Sequence, residues 1–164
     1  MTMPIGFLRV VIAALTLLTP AIVYAQTADP AADKAAVDKV MHDYFEAYSH
    51  GDMAAVMNFI TVPFMVQGPK GFTAFTTANE ALDWYTRFHD AAVKQGYAKT
   101  QWIDLGVKLL GQSYAIASGT YVRSKTDGSE LNRSGGTYLL NKVDGVWKIG
   151  VNVGYPTKDA FKLE

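Results

Sequence analysis

Hydrophobic positions change their spacing once along the chain, and the change separates a helical first part from a stranded second part. Between Asp33 and Tyr48, the residues Val37, Val40, Met41, Tyr44, Phe45 and Tyr48 recur at three- and four-residue intervals. Lys34, Asp38, Lys39, Asp43 and Glu46 occupy the opposite side. One apolar stripe on a polar cylinder predicts an amphipathic helix, and His50-Gly51 ends it because glycine reaches the left-handed region at little cost. Asp52 reads as the N-cap of a short second helix with Met53, Val56, Met57 and Ile60 on its buried side. Pro63 removes a helical donor and starts an extended piece to Gln67. A Gly-Pro-Lys-Gly turn then leads to a second, Phe72 to Phe75. Thr77-Ala78-Asn79-Glu80 has capping-box spacing and opens a third helix to about Gln95, stopped by Gly96. Leu82, Tyr85, Phe88 or His89, and Ala92 fall on its inner face.

After Gly96 the period is two. Four runs, Thr100–Leu110, Ser113–Ser124, Leu131–Lys142 and Val146–Val153, are joined by Gly111-Gln112, the Thr126-Asp127-Gly128-Ser129 stretch and Asp144-Gly145. Asp-Gly suits the positive backbone angles of tight hairpins, and connectors this short allow only antiparallel neighbours. Strict alternation predicts Ile103, Leu105, Val107 and Leu109 toward the core, with Asp104 on the other face. It also groups Trp147, Ile149, Val151 and Val153 against Lys148, Gly150, Asn152 and Gly154. Helices ahead of a long meander define an α+β fold: a curled antiparallel sheet, a cone-shaped half-barrel, with about three N-terminal helices across its mouth. Glycines 106, 119, 135, 136 and 150 lie inside strand runs, where bends or bulges concentrate curvature.

The first 25 residues carry a different message. Arg9 precedes the apolar run Val10–Leu18, Pro20 breaks it, and Val23-Tyr24-Ala25 offers the small residues a signal peptidase reads. The run is shorter than the roughly 20 apolar residues a membrane span needs. Residues 1–25 are therefore expected to be a signal peptide cut after Ala25, residues 26–32 a flexible tether, and residues 33–164 one domain. The expected location is a bacterial periplasm or the medium, with no membrane attachment after cleavage.

Fifteen basic and fifteen acidic side chains, and no cysteine, narrow the chemistry. Charge balance argues against nucleic acid as a partner. Lack of cysteine excludes thiol catalysis, disulfides and thiolate metal sites.

The ordered set of Tyr44-Phe45-x-x-Tyr48, Gly51-Asp52, a Pro63 strand, Ala115-x-Ala117-x-Gly119, Arg123, Asp127-Gly128, Gly136-Thr137-Tyr138-Leu139-Leu140 and Asp144-Gly145-x-Trp147-Lys148-Ile149 resembles the NTF2-like superfamily. Within it the chain is similar to the bacterial SnoaL-like and domain-of-unknown-function branch. The resemblance covers about Ala32 to Val153. It implies a curled sheet with three helices, commonly a homodimer through the sheet, and members that include isomerases, dehydratases, cyclases and noncatalytic binding or assembly domains. Fold alone selects none of these.

The acid pair of an isomerase is missing, since Asp104 is the one carboxylate inside a strand run before the last turns. A dehydratase needs a histidine, and His89, one turn after Tyr85, is the candidate to face the cavity; its alternative is a partly exposed helix residue beside Asp90. No metal-ligand spacing, nucleophile elbow or phosphate loop is found, so no metal and no cofactor is expected. His89 and Asp104 are thus the catalytic candidates. Tyr44, Tyr48, Trp84, Tyr85 and Tyr121 are candidates for the wall of an apolar pocket with polar tips, whereas Phe45, Phe88 and Trp147 read as core. Arg123 could close the mouth and hold a carboxylate, or pair at the surface with Asp127 or Glu130. Three readings follow: an exported domain binding a small apolar ligand, a cofactor-free acid–base enzyme on an apolar ring compound, or a noncatalytic dimerisation and assembly module.

Overall fold

The structure is a computed structural model and describes residues 29–68, 70–161 and 163. The expected signal peptide and residues 26–28 of the expected tether lie outside the described residues. Helix α1 (Pro30–Ser49) starts three residues before Asp33, where the expected helical pattern begins, because Asp29 caps it and Pro30 occupies its first turn. Asp29 accepts from the Ala31 and Ala32 amides at 2.9 and 3.3 Å, so residues 30–32, expected in the tether, form a helical turn. The helix ends at His50, followed by Gly51 with φ +74°. Asp52 caps α2 (Met53–Met57), which is shorter than expected. Ile60 opens strand β1 (Ile60–Gly68) instead, and is buried there.

β1 turns into β2 (Gly71–Phe75), and α3 (Ala78–Val93) begins with the expected capping box. Thr77 Oγ1 accepts from the Glu80 amide at 3.3 Å, while Glu80 accepts from the Thr76 and Thr77 amides at 2.8 and 3.1 Å. Those amides hold the Glu80 carboxyl below the usual carboxylate range. The meander follows as β3 (Tyr97–Leu110), β4 (Tyr114–Lys125), β5 (Glu130–Val143) and β6 (Val146–Tyr155).

All six strands form one curled, unclosed sheet in the order β2-β1-β6-β5-β4-β3. Neighbours are antiparallel except β1 and β6, which run parallel. The three helices cover the concave face, and the core lies between them and the sheet.

Two bulges correct the strict alternation. On β3 the pairing passes from Trp102↔Tyr121 to Asp104↔Thr120, leaving Ile103 as the extra residue. Trp102 therefore packs under α1, with its ring 4.5 Å from that of Phe45, while Ile103 is 47% exposed rather than core. On β6 the pairing passes from Leu140↔Ile149 to Leu139↔Val151, so Gly150 is the extra residue. Trp147 and Ile149 stay inside, but Val151 and Val153 turn outward and Asn152 and Gly154 turn inward. A one-residue insertion flips every later side chain of a strand. The face expected to group Lys148, Gly150, Asn152 and Gly154 is thereby split.

Candidate functional site

Register across the sheet decides where the interior is full and where it is open. The inward row Leu109↔Ala115↔Leu140↔Ile149↔Ile60 crosses five strands and is aliphatic throughout. Two rows further, Gly119, Gly136 and Gly154 stand side by side on β4, β5 and β6. Of the three, Gly154 borders open space, with nothing within 4 Å of a Cβ built on it, whereas a Cβ on Gly119 would run into the Asp104 carbonyl of β3. A Cβ on Gly136 would lie 3.1 Å from the rings of Tyr121 and Tyr138, which lean into that space.

The result is a cavity of about 120 Å³ inside the cone. Helix α1 contributes Tyr44, Phe45 and Tyr48, and α3 contributes Trp84, Tyr85 and Phe88. From the sheet come Thr100, Tyr121, Arg123, Tyr138, Asn152 and Gly154, with Val66 and Gln67 on β1. All six pocket candidates of the sequence, Tyr44, Tyr48, Trp84, Tyr85, Tyr121 and Arg123, thus meet around one space. Phe88 departs from its core assignment. It is 39% exposed at the mouth, stacked on Trp84 at 5.0 Å.

The polar groups of the wall are donors or amides. The Tyr44 and Tyr85 hydroxyls share a hydrogen bond of 3.1 Å. Burial pushes both phenols, and that of Tyr138, well above the ordinary tyrosine range. Burial raises Tyr48 as well, opposed chiefly by the positive charge of Arg123. Phenols held neutral in this way donate hydrogen bonds and do not serve as bases. The buried Tyr48 hydroxyl and Arg123 Nε meet no hydrogen-bond partner among the described residues.

Neither catalytic candidate lines the cavity. His89 lies behind Tyr48, edge-on to its ring at 5.1 Å and to that of Tyr97 at 5.8 Å, with Gly51 against it. Tyr97 lies outside the expected strand run, and its side chain blocks that flank: its hydroxyl meets Thr100 Oγ1 at 2.7 Å and Ser49 Oγ at 3.2 Å. Asp104 sits at the β3 bulge, where its carboxylate accepts from the Thr120 amide at 2.7 Å. That is a local task of satisfying a backbone donor at an irregular pair. Asn152 is the wall residue that alternation hid, because its direction depends on the Gly150 bulge.

A larger groove of about 610 Å³ runs along the surface between α1 and β3, past His42, Glu46, His50 and Lys99. His42 there bonds the Asp38 carbonyl at 2.9 Å. Among the described residues no group of three His, Cys, Asp or Glu side chains could hold a metal ion, and no helix is long and apolar enough to cross a membrane.

Residues 33–157 match the family described as NTF2-like protein (DUF6841). The chain belongs to that family. No curated protein matches it in sequence. Among solved structures, an NTF2-like protein of unknown function from Shewanella oneidensis MR-1 is 18% identical at TM-score 0.61, over 74% of this chain and 98% of the other. An NTF2-like protein with a cystatin-like fold from Novosphingobium aromaticivorans is 13% identical at TM-score 0.65, over 79% and 85%. The association domain of C. elegans CaMKII is 15% identical at TM-score 0.59, over 76% and 96%. At such identities the likeness concerns fold alone.

Proposed function

We propose that the cone of this NTF2-like domain is a receptor for a small, planar, largely apolar molecule, which it binds without transforming. The observation that carries the reading is the composition of the cavity wall: aromatic rings, phenol hydroxyls, the Asn152 amide and one arginine, with no carboxylate or imidazole. A proton-transfer enzyme needs a group that takes a proton near the operating pH, within hydrogen-bond reach of the substrate. Wall phenols pushed upward by burial do not supply it, His89 lies behind Tyr48 with its buried Nε2 unpartnered among the described residues, and Asp104 is bonded to the Thr120 amide. Binding needs only apolar area and a few oriented polar groups. An engineered apolar cavity of about 150 Å³ takes benzene, so the volume suits a single ring or a short planar chain.

The binding test is a thermal-shift titration of the protein with benzyl alcohol, benzamide and benzoate. A ligand that binds the native state raises Tm as its concentration passes Kd. A rise with at least one probe is expected. No rise with any of them contradicts the receptor reading.

We propose further that residues 1–25 direct export and are removed, on the strength of Arg9, the run Val10–Leu18 and Ala25. An intact mass beginning at Gln26 is expected, and a mature protein retaining Met1 contradicts it. Homodimerisation is proposed through the outer sheet face. Its support is the outward row Ile116↔Leu139↔Val151↔Met65 across four strands, with Leu139 43% exposed. A symmetric partner would cover this row. Light scattering at tens of micromolar, roughly where such weak dimers form, distinguishes dimer from monomer.

A further inference from the structure

We propose that the cone's ligand is a carboxylate, its planar apolar body among the tyrosines and its two oxygens paired with Arg123. The proposal rests on the receptor reading above and names the ligand's chemical class.

Arg123 is the inward residue of β4 nearest the open end of the cavity. Its guanidinium carbon lies 5.4 Å from the centroid of the Phe88 ring and 5.4 Å from that of Tyr121. Two rings on its flanks restrict the guanidinium plane, and a restrained fork presents parallel N–H donors. The acids expected to neutralise it are engaged elsewhere. Asp127 accepts from the Ser129 amide and hydroxyl at 2.9 and 2.6 Å, and Glu130 accepts from Arg133 at 2.9 Å. Among the described residues Arg123 makes no ion pair.

An arginine keeps its charge under all ordinary conditions, and Arg123 is half-buried, with its Nε out of water and no counter-ion beside it among the described residues. Arg123 and Tyr48 both line the cavity, the Arg123 charge acts on the Tyr48 phenol, and the Nε and the Tyr48 hydroxyl are both buried without partners among the described residues. A carboxylate satisfies them with the bidentate geometry that guanidinium prefers. Arg123 and Phe88 also line a shallow pocket on the outer side, together with Leu131 and Asn132. The cation therefore stands at the partition between cavity and surface, where an anion arriving from solvent meets it first. A neutral ligand would leave it unpaired.

The test is calorimetric titration of the full chain with two isosteric pairs, benzoate against benzamide and crotonate against crotonamide. The acid of each pair is expected to bind at least about ten-fold more tightly, the scale of a charge-assisted contact. Arg123→Gln should bring the members of each pair to within about two-fold, and Arg123→Lys, a point charge without the fork, should restore part of the difference. Equal affinity of acid and amide for the unmodified protein overturns the carboxylate and leaves the receptor reading intact. An acid preference that survives Arg123→Gln overturns the role of Arg123. Should that variant fail to fold, the unmodified protein and Tyr48→Phe, which should weaken the acids alone by a few-fold, decide the matter. Absence of binding for both pairs up to roughly 10 mM overturns this inference and the receptor reading together.

Discussion

The two ends of the cone are built on the same helix and the same four meander strands, yet one is filled and the other open. At the filled end α1 contributes Val37 and Met41, and the sheet contributes Leu140 and Ile149, all at 2% exposure or less. One to two helical turns further, α1 contributes Tyr44 and Tyr48, and the sheet offers Asn152 and the side-chain-free Gly154. The filled end is also tied from outside. Asp33 accepts from Lys142 Nζ and from Trp147 Nε1, the latter at 3.2 Å, fastening the start of α1 to β5 and β6. Aliphatic volume and a clasp make stability at one end. Absent side chains and unpaired donors make a binding space at the other. Stability and recognition are thus separated along one axis, and substitutions should respect that separation.

The largest effect is expected at the filled end. Leu140→Ala removes a buried side chain in a full row and should cost about 2–5 kcal/mol of folding stability. Probe affinity, measured at a temperature where the variant is folded, should stay unchanged; chemical denaturation and calorimetry read the two. A large affinity loss would show that the ends are coupled rather than separate. Next comes plugging the open end. A Cβ on Gly154 meets nothing within 4 Å and Gly154 lines the cavity, so a side chain starts there without a clash and Gly154→Phe directs its ring into that space. Its stability should change by no more than about 0.5 kcal/mol while probe binding is lost. Retained binding would put the probe elsewhere.

A smaller effect is expected for Tyr44→Phe. The ring contacts remain, the Tyr85 hydroxyl loses its partner, and stability should fall by about 1 kcal/mol. Affinity should drop by about 1–3 kcal/mol if the ligand uses that hydroxyl. Loss of stability with no change in affinity would make Tyr44 a core residue. The smallest effect is the acid limb of the stability curve. Hydrogen bonds from Lys142 and Trp147 hold the Asp33 carboxyl below its usual range. A depressed carboxyl adds stability that is present above its unfolded pKa, about 3.9, and is lost as pH falls through the folded value. Asp33→Asn should flatten stability against pH in that acid window and leave probe binding unchanged. An unaltered acid limb would remove the clasp.

The sequence was most legible where structure is local. The α1 stripe, the Gly51 terminator, the Thr77–Glu80 box and the Asp-Gly hairpins each depend on residues within a few positions, and each is found as read. Pocket-wall aromatics were legible for the same reason, since helical period fixes the side on which Tyr44, Tyr48 and Tyr85 lie. Bulges were not legible. Whether Ile103 or Gly150 is the extra residue depends on a neighbouring strand, and the outward turn of Val151 and the inward turn of Asn152 follow from that pairing. The glycines in strands were visible, but three of them forming a single row requires the register. His89 shows the complementary limit: helical spacing put it on the right side of α3, and Tyr48 and Tyr97 then stood between it and the cavity.

The central claim, that the small aromatic cone and not the larger α1–β3 groove is the binding site, is tested most directly by a crystal structure of the protein soaked with benzyl alcohol. The account predicts density for the ring beside Asn152 and Gly154, between the Tyr44–Tyr85 hydroxyl pair and Arg123. Density confined to the groove beside His42 and Lys99, with the cone unchanged, would contradict it.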